Sequence, residues 1–409
     1  MENSVFGRDG AHLWRVAASG LAVVLGLAAG PALSEPFSCA APPPPVDSPA
    51  HKTFNGDWVA PMNLGTLRSW IEFRVTDSRV VVVNGINPKA VTGQAIFDGS
   101  AGHIDLGARG AYDGPVDFQN NLWTARWFAP NASSQVMQFT RRPQTPVAPF
   151  PYRSEDVTFH GADGAVLAGT VTAPGDAGPH PAVVLIAGFQ ADRDEVAKGV
   201  SPAHRPFAVL ADQLTRQGFV VLRYDARGVG GSGGNALTDP ETQYEQDVAA
   251  GVALLKGRPD VDPKKVGLVG HDTGGLLAGQ AAAADPTVAF VVLLDSPGTA
   301  GQLALVPANS AYARFFATHD PAADLGKVRQ PVLVLTGEKD GLVPPDNQLP
   351  PIRAALKANP RADVCVIPGL GHQLRPATTG SADEAEQSMV TVDPTALGPM
   401  TAWLSSQAQ

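Results

Sequence analysis

The sequence has very little cysteine and no recognisable cofactor motif. Only two of its 409 residues are cysteines, Cys39 and Cys365. No clustered Cys/His pattern, H-E-x-x-H motif or phosphate-binding P-loop is present, so neither a metal nor a nucleotide cofactor is indicated. A disulfide is permitted in an exported protein, but no spacing pattern demands one, and we expect both thiols to be unpaired.

Charge is also sparse. Charged residues make up 17% of the chain, and the 39 acidic residues outnumber the 30 basic ones. No Lys/Arg cluster stands out, so the electrostatic footprint of a nucleic-acid-binding protein is missing. The apolar content of 44% is typical of a globular protein with ample material for a buried core, and the length suffices for two or three domains.

The long apolar run of the sequence lies near its N-terminus. Two arginines precede an uncharged stretch over 16–33, which leads into the small-x-small pattern Ala32-Leu33-Ser34. This order predicts a cleaved signal peptide over 1–34 rather than a retained membrane anchor, because Pro31 and nearby glycines weaken the helix. We therefore expect an exported chain, periplasmic or extracellular, with no stable membrane insertion after cleavage.

Two proline-rich stretches divide the remaining chain. They lie at 35–52 and 143–152 and predict extended linkers. Between them, residues 53–142 consist of short β-prone runs separated by Gly, Asn and Asp, which predicts an antiparallel β-rich domain. This domain holds four of the six tryptophans, and their strand spacing favours a core role over a ligand platform. They are Trp58, Trp70, Trp123 and Trp127.

From 153 to 409 the pattern changes to apolar strands alternating with helical segments. Continuous apolar runs such as Pro181 to Ala187 are typical of strands covered on both faces. The alternation predicts the α/β class, with a mostly parallel sheet flanked by helices and ligands bound beyond the carboxyl ends of the strands. The interval 296–330 has room for only one or two short helices, so we expect a short lid there.

One strand end carries the string Gly270-His271-Asp272-Thr273-Gly274, followed by a helix-prone run. The string fits a nucleophile elbow, glycine-x-nucleophile-x-glycine, with Asp272 at the nucleophile position. Glycine is needed on both sides because a tight, strained turn leaves no room for Cβ atoms. The N–H of Thr273 would point at an oxyanion or halide. His271 is a candidate ligand or neighbour of the site, but the residue before an elbow nucleophile more often packs beneath it.

Asp340 and His372 each follow a later apolar strand, at the same predicted edge of the sheet. Seen alone, Asp340 would be a turn or cap aspartate and His372 a surface imidazole. Together with the elbow they follow the order nucleophile, acid, histidine. The sequence therefore predicts a catalytic triad of Asp272, His372 and Asp340.

These motifs, with Leu222 to Ser232 (LRYDARGVGGS), resemble those of the α/β-hydrolase superfamily, and within it secreted bacterial esterases and serine-aminopeptidase-like hydrolases with a β-rich N-terminal domain. The resemblance covers about 54–409. It implies the α/β-hydrolase fold, a small-molecule substrate, and a second oxyanion N–H from Gly188 or Phe189. Members of that family have serine at the position of Asp272, so the chain departs from them at the central residue.

Aspartate at the elbow leaves several interpretations open. Attack of the carboxylate on a saturated carbon would give an alkyl ester that His372, oriented by Asp340, can hydrolyse by activating water. Haloalkane dehalogenases and epoxide hydrolases share this fold and an elbow aspartate. Attack on a carboxylic ester would give a reactive mixed anhydride and is less natural. Alternatively, Asp272 and His372 act as acid and base without a covalent intermediate, or the chain is a binding protein descended from an esterase.

Overall fold

The computed structural model describes most of the chain after the predicted signal peptide. The described residues are 37–40, 54–64, 67–84, 91–118, 122–130, 134–141, 144, 146, 149–195, 204–301, 310–381, 384, 388 and 390–409. The predicted signal peptide and most of the first predicted linker lie outside them. None of the helices within these ranges is both long enough and apolar enough to cross a membrane.

Eight antiparallel strands form a closed barrel at the N-terminal side of the described chain. They are β1 (Gly56–Leu64), β2 (Leu67–Thr76), β3 (Arg79–Asn84), β4 (Val91–Phe97), β5 (Ala101–Asp105), β6 (Ala111–Asp117), β7 (Leu122–Phe128) and β8 (Ser134–Arg141). The barrel closes where β1 pairs with β8, with Trp58 opposite Arg141. This confirms the predicted antiparallel β-rich unit.

Aromatic side chains fill the barrel. Trp58, Phe73, Trp123 and Phe139 are fully buried, and the rings of Trp123 and Phe139 lie 4.8 Å apart. The Trp58 indole donates a hydrogen bond to the Phe54 carbonyl at 2.8 Å, so its polar edge is satisfied inside the core. The prediction that tryptophans pack in the core is confirmed for Trp58 and Trp123.

The following region forms an eight-stranded sheet in the order β16-β15-β14-β13-β11-β12-β10-β9. Its strands are β9 (Arg153–His160), β10 (Val166–Ala173), β11 (His180–Ile186), β12 (Val220–Tyr224), β13 (Val261–His271), β14 (Val291–Leu294), β15 (Val332–Gly337) and β16 (Ala362–Ile367). β9 and β10 are antiparallel to their neighbours, whereas the strands from β12 to β16 run parallel. The predicted mostly parallel sheet is confirmed.

Helices cover both faces of this sheet. They are α1 (Pro206–Arg216), α2 (Glu241–Lys256), α3 (Thr273–Ala284), α4 (Ala311–Thr318), α5 (Pro321–Leu325), α6 (Pro345–Leu356) and α7 (Pro394–Gln407). Successive residues of β11 point to opposite faces of the sheet. Val184 packs into the hydrophobic core under α2 and α3, and Val183 packs into the one under α1 and α7. Burial on both faces explains the uninterrupted apolar runs of the central strands.

The predicted short lid contains two short helices in its described part, α4 and α5. The Ser310 hydroxyl caps α4 by accepting a hydrogen bond from the Ala313 N–H at 3.0 Å. Tyr312 and Phe316 of α4 are buried against the main sheet. The helix is therefore fixed onto the domain at the side of the site described below.

The barrel and the domain built on the eight-stranded sheet are connected by a buried ion pair. Asp57 of β1 lies 2.8 Å from the guanidinium of Arg205, which immediately precedes α1. Arg74 of β2 contacts the other oxygen of Asp57 at 3.1 Å. Burial disfavours the charged form of Asp57, but the two arginines outweigh it and lower its pKa to about 2. Asp57 therefore stays ionised at neutral pH and holds Arg205 against the barrel.

Cys39 and Cys365 form a disulfide, so the prediction of two unpaired thiols is wrong. The bond joins the segment before the barrel to β16, and the two Cα atoms lie 5.7 Å apart. No local pattern indicates this proximity, because the two cysteines are 326 residues apart in the chain. Phe37, close to Cys39, packs against the core under α1 and α7 and brings the segment back onto the sheet.

We expect Cys39→Ser to destabilise the protein. The disulfide closes a loop of 326 residues, and removing a cross-link over a long loop costs about 4 kcal/mol of unfolding free energy because the unfolded chain gains freedom. Urea unfolding with and without a reductant would measure the loss. Reductant should destabilise the wild type and leave the variant unchanged; equal stability of wild type and variant in oxidising buffer would contradict the expectation.

Candidate active site

Asp272 lies at the tip of a sharp turn between β13 and α3. Its backbone has φ 50° and ψ −124°, a strained conformation that side-chain-bearing residues seldom adopt. A Cβ at Gly270 would lie 2.2 Å from the Gly274 carbonyl oxygen, and one at Gly274 would lie 2.1 Å from the Ile186 carbonyl oxygen. Both glycines are therefore required sterically, and the turn has the nucleophile-elbow geometry that the sequence predicted.

His372 and Asp340 form a hydrogen-bonded pair at the carboxyl edge of the sheet. Nδ1 of His372 lies 3.0 Å from Oδ2 of Asp340. The other oxygen of Asp340 accepts hydrogen bonds from the backbone N–H groups of Leu342 and Val343, at 2.9 and 2.8 Å. Backbone donors on one oxygen and imidazole on the other fix the carboxylate, so the orientation of the His372 ring is fixed as well.

The pair is ionised near neutral pH. Burial opposes the charge on both groups, but the imidazole of His372 holds the pKa of Asp340 below its usual range. At His372, burial also disfavours the charged form, but the charge and hydrogen bond of Asp340 outweigh it, and the charges of Asp272 and Asp295 add to this effect. The pKa of His372 therefore rises to about 9. Loss of the Asp272 charge would lower the pKa of His372, because that charge is one of those that raise it.

The structure brings the three residues of the predicted triad together. Burial raises the pKa of the Asp272 carboxyl, and the nearby charge of His372 counteracts this rise. The His372 ring also packs against His271, the residue before Asp272, with ring centroids 4.7 Å apart. A carboxylate at an elbow, beside an imidazole held by a second carboxylate, is an arrangement suited to nucleophilic or acid–base catalysis.

The predicted oxyanion donors are engaged by protein groups. The Gly188 N–H donates to both carboxylate oxygens of Glu195, at 3.1 and 3.0 Å. The Phe189 N–H donates to the Thr273 hydroxyl at 2.8 Å. The Thr273 N–H is directed to the carboxylate of Asp272 itself. A role of Gly188 or Phe189 in binding a substrate oxyanion stays a prediction, and it requires the Glu195 carboxylate or the Thr273 hydroxyl to move.

Glu195 is a site residue that the sequence reasoning missed. It is buried, has a positive φ of 66°, and lies 2.7 Å from Nδ1 of His271 through its Oε1. Burial raises the pKa of Glu195 to about 8 and, with the charge of His372, lowers that of His271 to about 3. His271 thus packs beneath the elbow as predicted, but as one half of a buried hydrogen-bonded pair.

Asp295 is the second missed residue. It follows β14, is fully buried and also has a positive φ, 44°. Its carboxylate accepts hydrogen bonds from the backbone N–H of Gly337 at 2.8 Å and from that of Leu374 at 3.2 Å. Burial, together with the charge of Asp340, raises its pKa to about 7. Asp295 thereby connects the end of β15 to the turn that carries His372.

The lid helix α4 packs closely against the loop after β11. The ring of Tyr312 stacks on that of Phe189, with centroids 4.7 Å apart. A cavity of about 20 Å³ remains behind this loop, lined by Gly188, Phe189, Tyr224, Tyr244 and Tyr312 among others. That volume holds about one water molecule. α4 therefore positions the Gly188–Phe189 loop rather than leaving a substrate chamber behind it.

Parts of the chain are similar to known proteins. Residues 196–325, which include the elbow, match the model of the serine aminopeptidase family S33 (Hydrolase_4). Thiohydrolase apmlB of Arthrinium phaeospermum is 35% identical over 141 residues, which are 34% of this chain and 42% of that protein. Esterase EstD of Thermotoga maritima is 33% identical over 132 residues, 32% of this chain and 29% of that protein. The chain has the α/β-hydrolase fold, and its elbow lies within the matched segment.

This α/β-hydrolase matches less than two thirds of the length of each of these relatives: 42% of the thiohydrolase and 29% of the esterase. Among solved structures, the α/β-hydrolase GrgF from Penicillium sp. sh18 aligns with a TM-score of 0.49 at 18% identity, covering 63% of this chain and 99% of that one. The fold assignment therefore rests on the sequence matches and on the sheet order with its elbow.

Proposed function

We propose that this α/β-hydrolase cleaves a small organic substrate with Asp272 as a carboxylate nucleophile, His372 as the base that activates water, and Asp340 as the group that orients His372. The observation that carries the proposal is the position of the Asp272 carboxylate at the elbow tip, where its charge interacts with His372 of the His372–Asp340 pair. The substrate class is an electrophile with a saturated reacting carbon, such as an alkyl halide or an epoxide.

The reaction has two steps. First, an oxygen of Asp272 forms a bond to the substrate carbon while the bond from that carbon to the leaving group breaks, and the leaving group takes the electron pair. Second, His372 removes a proton from water, and the hydroxide adds to Cγ of the ester. The bond from Cγ to the alkyl oxygen then breaks, and the alcohol takes the proton from His372. The second proton of the water molecule leaves the Asp272 carboxyl, to solvent for a halide or to the alkoxide for an epoxide, and the carboxylate is regenerated with one oxygen from water.

The hydrogen bonds of the loop after β11 support attack on a saturated carbon. Attack on a carbonyl develops an oxyanion in the first step and needs free donors for it. The N–H groups of Gly188 and Phe189 are engaged with Glu195 and Thr273, whereas displacement at a saturated carbon places the developing charge on the leaving group and forms no oxyanion at the attacked carbon. The oxyanion of the second step forms on the Asp272 carboxyl, where the Thr273 N–H already points.

Single turnover in oxygen-18 water tests the covalent route. Enzyme in excess over an alkyl halide or epoxide that it converts should incorporate the label into the peptide that contains Asp272, because water attacks the ester at Cγ. The first equivalent of alcohol should carry unlabelled oxygen from the carboxylate. Product formed with the label in the alcohol and none in the peptide would overturn the covalent proposal in favour of direct attack by water.

We also propose that the protein acts outside the cytoplasm, as the N-terminal sequence predicts. The Cys39–Cys365 bond supports this location, because structural disulfides persist in oxidising compartments and are rare in the reducing cytosol. Fractionation of cells that express the full chain tests it: the mature protein should be recovered in the periplasm or the medium, shortened by the predicted signal peptide, and not in the cytosolic fraction.

A further inference from the structure

We infer that the same edge of the sheet holds a binding site for one transition-metal dication of the zinc class, formed by His271, Asp295 and His372. A ring nitrogen of each histidine and a carboxylate oxygen of Asp295 all lie within 4.8 Å of one another. Nε2 of His271 lies 4.0 Å from Oδ2 of Asp295. The inference goes beyond the proposed hydrolase function and does not depend on it.

Both histidines have the orientation that metal ligands adopt. Nδ1 of His271 contacts the Glu195 carboxylate at 2.7 Å, and Nδ1 of His372 contacts the Asp340 carboxylate at 3.0 Å. Each carboxylate fixes its ring. Nε2 of His271 offers a lone pair to a cation, and at His372 the metal would displace the proton that the imidazolium carries on Nε2. A histidine that binds metal through one nitrogen usually donates the other to a carboxylate or carbonyl, and here the arrangement occurs twice at one site.

The Nε2 atom of His271 is the most direct indication that this site binds a cation. Among the residues that the structure describes, it has no hydrogen-bond partner, although it is buried and His271 as a whole is only 4% exposed. A buried polar atom without a partner carries a desolvation cost that is rarely tolerated without a reason. A metal ion bound at Nε2 would remove that cost, because the uncharged imidazole donates its lone pair to the cation.

Asp295 supplies the oxygen ligand and is held in place. Its two oxygens accept the N–H groups of Gly337 and Leu374 at 2.8 and 3.2 Å. Each carboxylate oxygen has a second lone pair, so these bonds orient the group and still leave it able to bind a cation. Ligating carboxylates are commonly supported in this way by surrounding donors.

The charge of the site also favours a cation. Four carboxylates surround the two imidazoles: Glu195, Asp272, Asp295 and Asp340. Negative charge on a carboxylate in a buried space is costly, and a bound dication is the strongest local compensation for it.

The donor set determines the class of metal. Two imidazole nitrogens and one carboxylate suit Zn²⁺ and neighbouring first-row ions, whereas Ca²⁺ and Mg²⁺ prefer oxygen ligands. The fourth position would be taken by water or by Asp272. Because Nε2 of His372 cannot bind a metal and accept a proton from water at once, loading the site would suppress the Asp272 reaction proposed above.

Calorimetric titration of chelator-treated, untagged full-length protein with Zn²⁺ tests the site without any substrate. We expect one ion per chain. His271→Gln and Asp295→Asn should each weaken binding by at least about tenfold, and Glu195→Gln, which removes only the support of His271, by about 10- to 100-fold. His319→Gln is the matched control, because Nε2 of His319 contacts the Asp324 carboxylate at 2.7 Å outside this site, and it should bind Zn²⁺ like the wild type.

Visible absorption of the Co²⁺-loaded wild type provides a second readout that needs no variant to fold. Bands typical of four-coordinate Co²⁺ with nitrogen and oxygen ligands, displaced by equimolar Zn²⁺, support the inference. Absence of stoichiometric Zn²⁺ binding by the wild type overturns it, as does unchanged affinity in both His271→Gln and Asp295→Asn. The covalent proposal is judged separately, by the oxygen-18 label in metal-free enzyme.

Discussion

Asp272→Asn is expected to abolish turnover, with a fall in kcat of about 10⁴-fold or more, the size of effect seen when a nucleophile is removed from a catalytic triad. The amide has nearly the shape of the carboxylate, so it can occupy the turn at φ 50° that Gly270 and Gly274 make possible. It is uncharged, however, and its oxygen is a poor nucleophile. The loss should therefore appear in kcat, with little change in the unfolding midpoint.

Steady-state kinetics on an alkyl halide or epoxide that the wild type converts would measure this loss, and intact mass would verify that the amide is retained. Asp176→Asn is the matched control, because Asp176 is exposed and precedes β11, at the opposite end of the strand from Gly188. The control should keep wild-type kcat. An Asp272→Asn enzyme within tenfold of the wild type would exclude Asp272 as nucleophile and as acid or base.

His372→Gln is expected to separate the two chemical steps. Attack by the Asp272 carboxylate does not need His372, whereas hydrolysis of the resulting ester needs a base to activate water, a contribution of about 10²- to 10⁴-fold. The variant should therefore complete one round of attack and then stop. An alkyl group should accumulate on the chain, up to one per molecule, while multiple turnover falls by about 10³-fold.

Intact-mass spectrometry after mixing with the substrate would detect the adduct, and peptide mapping would locate it at Asp272. His319→Gln keeps all groups at the elbow and should accumulate none. Slow turnover by His372→Gln without any adduct, together with loss of activity in Asp272→Asn, would instead support acid–base catalysis without a covalent intermediate. Tight binding of a compound that the wild type returns unchanged, with no conversion of any substrate, would support a binding protein.

Residues that follow the ends of strands could be predicted because their local sequence is distinctive. The glycines around Asp272 are dictated by steric contacts within the turn and with the neighbouring strand, so a strand–turn–helix pattern indicates the elbow. Asp340 and His372 follow apolar runs, and parallel strands bring their carboxyl ends to one edge. The hydrogen bond of 3.0 Å between them was thus expected from chain order alone.

Glu195 and Asp295 could not be predicted in the same way. Asp295 directly follows β14, a common position for a turn residue, and Glu195 lies in the loop after β11 together with Asp192 and Asp194. The burial of both depends on loops from distant parts of the chain. Asp295, for example, is enclosed by backbone N–H groups of residues 337 and 374. No local pattern indicates that an acid will be placed beside two imidazoles, so a search for metal motifs in the sequence finds nothing.

The sequence alone determined the class of the fold and the β-rich unit before it, and it predicted a triad of Asp272, His372 and Asp340, because periodicity and turn chemistry are local. The tertiary structure decided which groups surround the triad: the Glu195 carboxylate on the Gly188 N–H, the two histidines beside Asp295, and the disulfide across 326 residues. These features depend on where separate loops converge and on how little water reaches them. Both are properties of the packed chain, and neither is encoded in any short stretch of it.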